Sequence, residues 1–250
     1  MFNFFKNKKN SKECTPCIPN DISGFKDAHK GERCFIIGNG PSLKAEDLDK
    51  LKNEYTFAVN RIYLIFDQTD WRPTYYAIQD HKLVEKYKDE VSQLDLPVKF
   101  VATRAANDIN GGKGKYYYYN YIRRLFDGSA PEFSDDISKQ TYEGGTVTFL
   151  CMQIAAYMGF TEIYLLGNDF NYSVTKTATD IVVNNVKDYF SDKYISTDEN
   201  RFFPRLDLCE IGFKHAKNVL DERGVHIYNA TRGGKLEVFP RVDFDQIDFK

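Results

Sequence analysis

Five small residues, Gly38-Asn39-Gly40-Pro41-Ser42, follow the apolar run Cys34-Phe35-Ile36-Ile37 and precede a polar segment with Leu43, Leu48 and Leu51 at helical spacing. A strand, a glycine turn and a helix in that order bring backbone N–H groups and the positive end of a helix dipole together, which is chemistry for holding a phosphate. Gly38 and Gly40 allow the backbone to approach a ligand, Pro41 suits a first helical position, and Asn39 and Ser42 add short hydrogen-bonding side chains for a ribose or phosphate. The loop has neither the third glycine of a dinucleotide fingerprint nor the Gly-Lys-Ser/Thr ending of a P-loop, so its spacing fits an ordinary capped βα turn equally well. Gly111-Gly112-Lys113-Gly114-Lys115 looks superficially similar but follows no strand, and it reads as a turn.

Other strand-like runs at 56–59, 75–78, 98–101 and 163–166 add polar groups at their carboxyl ends: Asn60, then Gln79-Asp80-His81, then Gly167-Asn168-Asp169. Parallel sheets bind ligands at that edge, and together these residues define one candidate cleft, although each alone would pass for a cap or turn residue. Glu143-Gly144-Gly145-Thr146 precedes a long apolar helix at 147–158 and offers a second anion site on the same edge. His81, beside Asp80, is the one histidine placed for a general base; His215 and His226 fall within a helix and a strand, and His29 in an amino-terminal leader.

The elements that must position these groups alternate strand and helix, which predicts a mostly parallel sheet flanked by helices, a Rossmann-like α/β fold. The most regular unit is the helix at 147–158 leading through Gly159 into the strand at 163–166; a second runs from a helix at 209–222 through Gly224 into 225–228. Residues 113–126 and 175–203 are irregular, charged and tyrosine-rich, as expected of a lid-like insertion. With 250 residues, 42% of them hydrophobic, the chain can bury one large core, and we expect a flexible leader at 1–30 and a nucleotide-sugar-binding domain at 31–250. Phe2, Phe4 and Phe5 followed by Lys6, Lys8, Lys9 and Lys12 give residues 2–12 an alternative role as a weak anchor at the inner face of the membrane.

A net charge of −2 gives no electrostatic footprint for DNA or RNA. No apolar stretch is long enough to span a bilayer and no cleavable signal stands at the amino terminus, so the expected location is the cytoplasm. Five cysteines, an odd number, do not form a disulfide framework in a chain of this size and point to a reducing compartment. Cys14 and Cys17 have CxxC spacing but lack a second pair or a nearby histidine to complete a zinc site, so no resident metal is expected.

Gly38-Asn39-Gly40-Pro41-Ser42-Leu43, Gly145-Thr146 and the run from Gly159 through Ile163-Tyr164-Leu165-Leu166-Gly167-Asn168-Asp169-Phe170 resemble the bacterial family-42 sialyltransferases. They also resemble the broader MptE-like family, which includes flagellin glycosyltransferase domains and an archaeal 6-hydroxymethylpterin diphosphokinase. The resemblance implies a Rossmann-like fold of glycosyltransferase-A-like variant and inverting, metal-independent transfer of a nonulosonic acid from a CMP-activated donor to a surface or flagellar glycan or a lipid-linked acceptor. By position it implies that Asn39, Ser42 and Asn60 contact nucleotide and phosphate, that Gln79 orients the donor, that Gly145-Thr146 match the Ser/Thr loop, and that Tyr172 supports the departing phosphate. The stretch from Tyr228 to Arg241 resembles the closing segment of MptE-like relatives found among surface-polysaccharide genes, and there Arg232 would hold a phosphate or carboxylate.

The sequence departs from the sialyltransferases where they carry their basic histidine: 201–209 contains none. Asp80, His81, Asp169 and Asp207 are left as candidate catalytic groups. Two other readings stay open. One is a diphosphokinase with Mg²⁺ on Asp80 and Asp169; the other is a nucleotide-binding module without turnover.

Overall fold

The computed structural model describes residues 21–109, 112–122, 129–176, 179–194 and 205–250. Seven strands form one sheet: β1 (Arg33–Ile37), β2 (Tyr55–Val59), β3 (Tyr75–Ile78), β4 (Val98–Ala102), β5 (Lys115–Tyr119), β8 (Glu162–Leu166) and β11 (His226–Asn229). Their order is β11-β8-β1-β2-β3-β4-β5, and every neighbouring pair is parallel. The short pairs β6 (Tyr121–Ile122) with β7 (Thr141–Tyr142), and β9 (Val174–Lys176) with β10 (Ile181–Val183), stand outside it.

A parallel sheet covered on both faces reads as unbroken apolar runs, and β1 and β2 are each buried at every position but the first. One face packs on α3 (Val147–Tyr157) and α4 (Leu206–Glu222). The other packs on α1 (Ala45–Asp49), α2 (His81–Gln93) and the carboxyl-terminal residues around Phe244. The Rossmann-like α/β architecture expected from the alternation of elements is the one observed. Helix α3 is buried at nearly every position, as befits an apolar helix between the sheet and α4.

Two segments differ from the sequence reading. Residues 21–30, expected in a leader, are packed: Ile22 is buried, and the Phe25 ring meets Tyr117 and Phe100 edge-on at 4.6 and 5.2 Å. His29 stacks on Phe160 at 4.6 Å and bonds the Tyr75 hydroxyl at 2.5 Å, while the amides of Asp27 and His29 donate to the last carbonyls of α3 and its cap. These aromatic and backbone contacts leave no periodic signal in the sequence. The anchor reading of residues 2–12 and the Cys14–Cys17 pair lie outside the described residues. The tyrosine tract, read as irregular, supplies edge strand β5, with Tyr116 and Tyr119 buried.

Lys99 is fully buried on β4. Its Nζ donates to the carbonyls of Leu94 at 2.8 Å and Lys113 at 2.6 Å and lies 4.4 Å from the centre of the Tyr116 ring, tying the end of α2 to the start of β5. Burial lowers the pKa of this amine to about 8. The unfolded chain keeps the ordinary lysine value of about 10.4. Between those values the unfolded state holds a proton that the folded state lacks, so stability attributable to Lys99 rises with pH across that window. Urea unfolding of wild type and Lys99→Met at about pH 7 and about pH 9.5 should show the difference moving in favour of wild type at the higher pH. A pH-independent difference would contradict the depressed pKa.

Candidate functional site

The chain starts in the middle of the sheet at β1, winds outward to β5, and returns on the other side of β1 through β8. Beyond the carboxyl ends of β1 and β8 the chain therefore leaves in opposite directions and opens a crevice. A cleft of about 560 Å³ lies there. It is lined by Gly38, Asn39 and Gly40 after β1, Asn60 after β2, Gln79, Asp80 and His81 after β3, Arg104 after β4, Gly167 to Asp169 after β8, and Gly145 and Thr146 ahead of α3. Residues 170–174 with Asp188, Tyr189 and Tyr194 form the outer wall. The strand-end rule thus brought the sequence's scattered polar groups to one place.

The glycine loop is shaped by a residue far along the chain. Asp169, 8% exposed, accepts the Ser42 hydroxyl at 2.7 Å. The Gly40 amide donates to the Gly167 carbonyl at 2.8 Å, and a Cβ on Gly40 would stand 1.8 Å from Asp169 Oδ2. Only glycine fits. Burial raises the Asp169 carboxyl above its ordinary pKa, against the pull of the hydrogen bonds from Ser42. Because the Leu43 amide donates back to the Gly40 carbonyl, residues 40–43 make a turn, and helix α1 begins only at Ala45 and spans five residues. This corrects the expected helix start at Pro41. The loop has backbone groups to offer, but the helix dipole in the cleft belongs to α3, whose cap Thr146 accepts from the Thr148 amide.

Along the strand ends runs a row of incompletely bonded amides. Asn39 donates to the Val59 carbonyl at 3.0 Å, leaving its Oδ1 buried without a partner. Asn60 bonds the Tyr194 hydroxyl, leaving Oδ1 likewise. Gln79 has its Nε2 buried and unpartnered. Asn39 and Gln79 are each 8% exposed. Among the described residues these account for three of four such side-chain atoms, the fourth being Trp71 Nε1, which does not line the cleft. Buried polar atoms are rarely left unpaired, and three of them gather here along one edge of the cleft. The carbonyls behind them are tied off: Tyr76 donates to Asn60 O at 2.7 Å and Tyr119 to Ile78 O at 3.0 Å.

Backbone strain gathers here too. Three described non-glycine residues have left-handed φ, and two of them, Asn60 (51°) and Phe170 (53°), line the cleft. Asn168 is a staple: its Nδ2 donates to Ile36 O and Leu166 O, and its Oδ1 accepts the Thr148 hydroxyl. The outer wall is held by Arg61, which donates to the carbonyls of Lys193 (2.7 Å) and Tyr194 (2.6 Å) and lies 3.8 Å over the Tyr87 ring. Tyr189 and Tyr194 stack at 3.9 Å, and Tyr172 meets Tyr189 edge-on at 6.1 Å. Burial pushes the hydroxyls of Tyr172 and Tyr194 far above their ordinary pKa, so both stay protonated donors.

Two sequence-derived candidates stand elsewhere. Arg232 forks to Asp47 and Asp245 at 2.7 to 2.9 Å, tying α1 to the carboxyl-terminal segment. Asp207 is held by Arg205 at 2.7 and 2.8 Å, which lowers its pKa and engages it as a partner rather than a base. Of those in the cleft, Asp80 caps α2 by accepting from the Lys82 amide, while His81 is exposed at the first position of α2. Among the described residues no three His, Cys, Asp or Glu side chains gather to hold a metal. Sequence reasoning missed Arg104, Tyr121 and Asp188. Arg104 follows a strand that was recognised, so the same strand-end rule would have found it.

The geometry at Gly40 makes a sharp prediction. Gly40→Ala should destabilise the fold by roughly 1–3 kcal/mol through overpacking. In an Asp169→Ala background, where the obstructing carboxylate is gone and only the 2.8 Å approach to the Gly167 carbonyl remains, a measurable part of that loss should vanish in a double-mutant cycle of urea unfolding. Equal losses in both backgrounds would mean that Asp169 does not constrain position 40.

Among solved structures, the MAf glycosyltransferase from Magnetospirillum magneticum AMB-1 shares this fold, with a TM-score of 0.55 and 12% sequence identity over 92% of the present chain and 38% of its own. The present chain thus spans well under half of that protein, and at this identity the likeness is one of fold. No curated protein matches the sequence. Residues 3–175, more than half of the chain, match the family described as 6-hydroxymethylpterin diphosphokinase MptE-like, and the protein belongs to that MptE-like family.

Proposed function

We propose that the protein is an inverting glycosyltransferase that binds a nucleotide-activated sugar in this cleft and transfers the sugar to a cell-surface or flagellar glycan or a lipid-linked acceptor. The observation that carries the reading is the row of orphaned amides, Asn39 Oδ1, Asn60 Oδ1 and Gln79 Nε2, beside a glycine loop and the start of α3. Adjacent parallel strands are about 4.8 Å apart, so the row spans roughly 10 Å, the scale of a nucleoside or a sugar with its phosphate. Hydroxyl groups donate and accept at once and would satisfy both kinds of orphan.

In this reading the Gly38–Ser42 backbone and the Thr146 end of α3 receive the phosphate, with the protonated Tyr172 as a further donor as negative charge develops on the leaving group. Ser42 acts through its bond to Asp169, holding the loop. Among the candidate bases, Asp80 and Asp207 are engaged in a cap and an ion pair, and Asp169 braces the loop. His81 is left facing the cleft, and we assign it the acceptor hydroxyl proton. The choice of a CMP-linked nonulosonic acid rests on the likeness of Gly38–Leu43 and Gly159–Phe170 to the family-42 sialyltransferases. The fold shared with a glycosyltransferase supports the reaction class. No helix among the described residues is long and apolar enough to cross a bilayer.

The family's description favours a second reading, the diphosphokinase. It needs Mg²⁺ between carboxylates, and Asp80 and Asp169 follow β3 and β8, three strand spacings or about 14 Å apart. That is too far for a shared ion bound directly by both, and we rank this reading second.

Calorimetric titration with CMP, UDP, GDP and ATP, with EDTA and with Mg²⁺, separates the two. We expect CMP to bind at about micromolar concentration without metal. Binding of ATP with Mg²⁺ alone would overturn the glycosyltransferase. In Asn39→Ala the CMP affinity should fall by about 1–3 kcal/mol, because a buried partner loses its acceptor. The bond to Val59 is lost as well, so stability should fall by about 1 kcal/mol. Lost stability with unchanged affinity would show Asn39 to be a turn residue only.

A further inference from the structure

The ends of β3 and β4 carry a positive feature that the phosphate loop does not explain. Arg104 donates to the Gln79 carbonyl at 3.1 Å and its guanidinium lies 4.9 Å from the centre of the Tyr121 ring, so two neighbours orient it at the wall of the cleft. Among the described residues it has no carboxylate partner. Gln79, 92% buried by its 8% exposure, points an unpartnered Nε2 into the same cleft. The Arg104 guanidinium and the Gln79 Nε2 both offer donors, and Arg104 adds a positive charge.

Position separates this feature from the glycine loop. β4 stands three strand spacings from β1, about 14 Å, so one phosphate cannot reach both Arg104 and Gly40. We propose that Arg104 and the Gln79 amide form a subsite for a second anionic group, a carboxylate or a phosphate, carried by the sugar end of the substrates. The identification of that end as the sugar end rests on the glycosyltransferase reading. Arginine suits either group because its planar fork can donate two parallel bonds, and the carboxylate of the transferred sugar and a phosphate on the acceptor are the two sources.

The test is an NMR titration of the ¹⁵N-labelled full chain with sodium acetate and, separately, with inorganic phosphate at constant ionic strength. Saturable shifts of the Gln79 side-chain amide and of Arg104 Nε–H are expected, and Arg104→Gln, a change at an exposed position, should weaken the Gln79 response about tenfold. Stronger binding of acetate assigns the subsite to a sugar carboxylate; stronger binding of phosphate assigns it to a phosphorylated acceptor. No saturable shift with either anion, or a Gln79 response unchanged in Arg104→Gln, overturns the subsite. CMP added to the same sample reports on the nucleotide reading separately, through the amides of Gly40 and Thr146. Shifts there without an anion response sink the subsite alone, and an anion response without CMP shifts supports it while contradicting the nucleotide.

Discussion

The Asp169 carboxylate fills the space that any side chain at position 40 would need, and it holds the Ser42 hydroxyl from across the crevice. This contact joins the ends of the two strands between which the chain changes direction, and the rest of the site depends on it. With Gly40 drawn against Gly167 and Ser42 turned to Asp169, the loop closes into a turn, and Asn39 is presented to the cleft between β1 and β2. Asn168 reinforces the same seam through β1, β8 and Thr148. A buried carboxylate is costly unless it is hydrogen-bonded, and Ser42 supplies that bond. The seam is therefore both the support of the loop and the reason its sequence is Gly-x-Gly-x-Ser.

From that seam outward the arrangement follows from strand geometry. The strands end at the same edge; β1, β2 and β3 are each followed by one of the amides Asn39, Asn60 and Gln79, and tyrosines from within the core satisfy the carbonyls of Asn60 and Ile78. The amides keep unspent hydrogen-bonding capacity because the backbone around them does not need it. Strained φ values at Asn60 and Phe170 sit beside this row, where the surrounding packing can hold them. Arg61 fixes the outer wall by grasping the carbonyls of 193 and 194, and the Phe190 amide donates to Asn39 O at 3.1 Å, so the tyrosine-bearing wall is bonded to the loop it covers.

What the sequence revealed and what it concealed divide along local and distant causes. The strands at 34–37, 75–78 and 163–166 and the helix at 147–158 were legible because burial on both faces leaves continuous apolar runs between glycines. Helix α2 was not, since Tyr87 has non-helical angles (φ −116°, ψ 18°) and interrupts a largely polar face. The tract at 116–119 hid an edge strand because four identical residues show no alternation. Pro41 promised a helix start, but Ser42 was claimed by a residue 127 positions away, and nothing local could announce that. Arg232 looked like a ligand for the same reason: its partners Asp47 and Asp245 come from two remote segments. The cleft itself was readable from strand ends, since topology and not local chemistry decides where they meet.

In the proposed reading, a nucleotide-bearing ligand completes the orphaned amides. A crystal structure of the full chain soaked with CMP tests it most directly. The phosphate is expected against the Gly38–Ser42 backbone and the Thr146 end of α3, with Asn39 Oδ1 or Asn60 Oδ1 accepting a hydrogen bond from the nucleotide. CMP bound elsewhere, or these amides bonded only to water beside an ordered nucleotide, would contradict it.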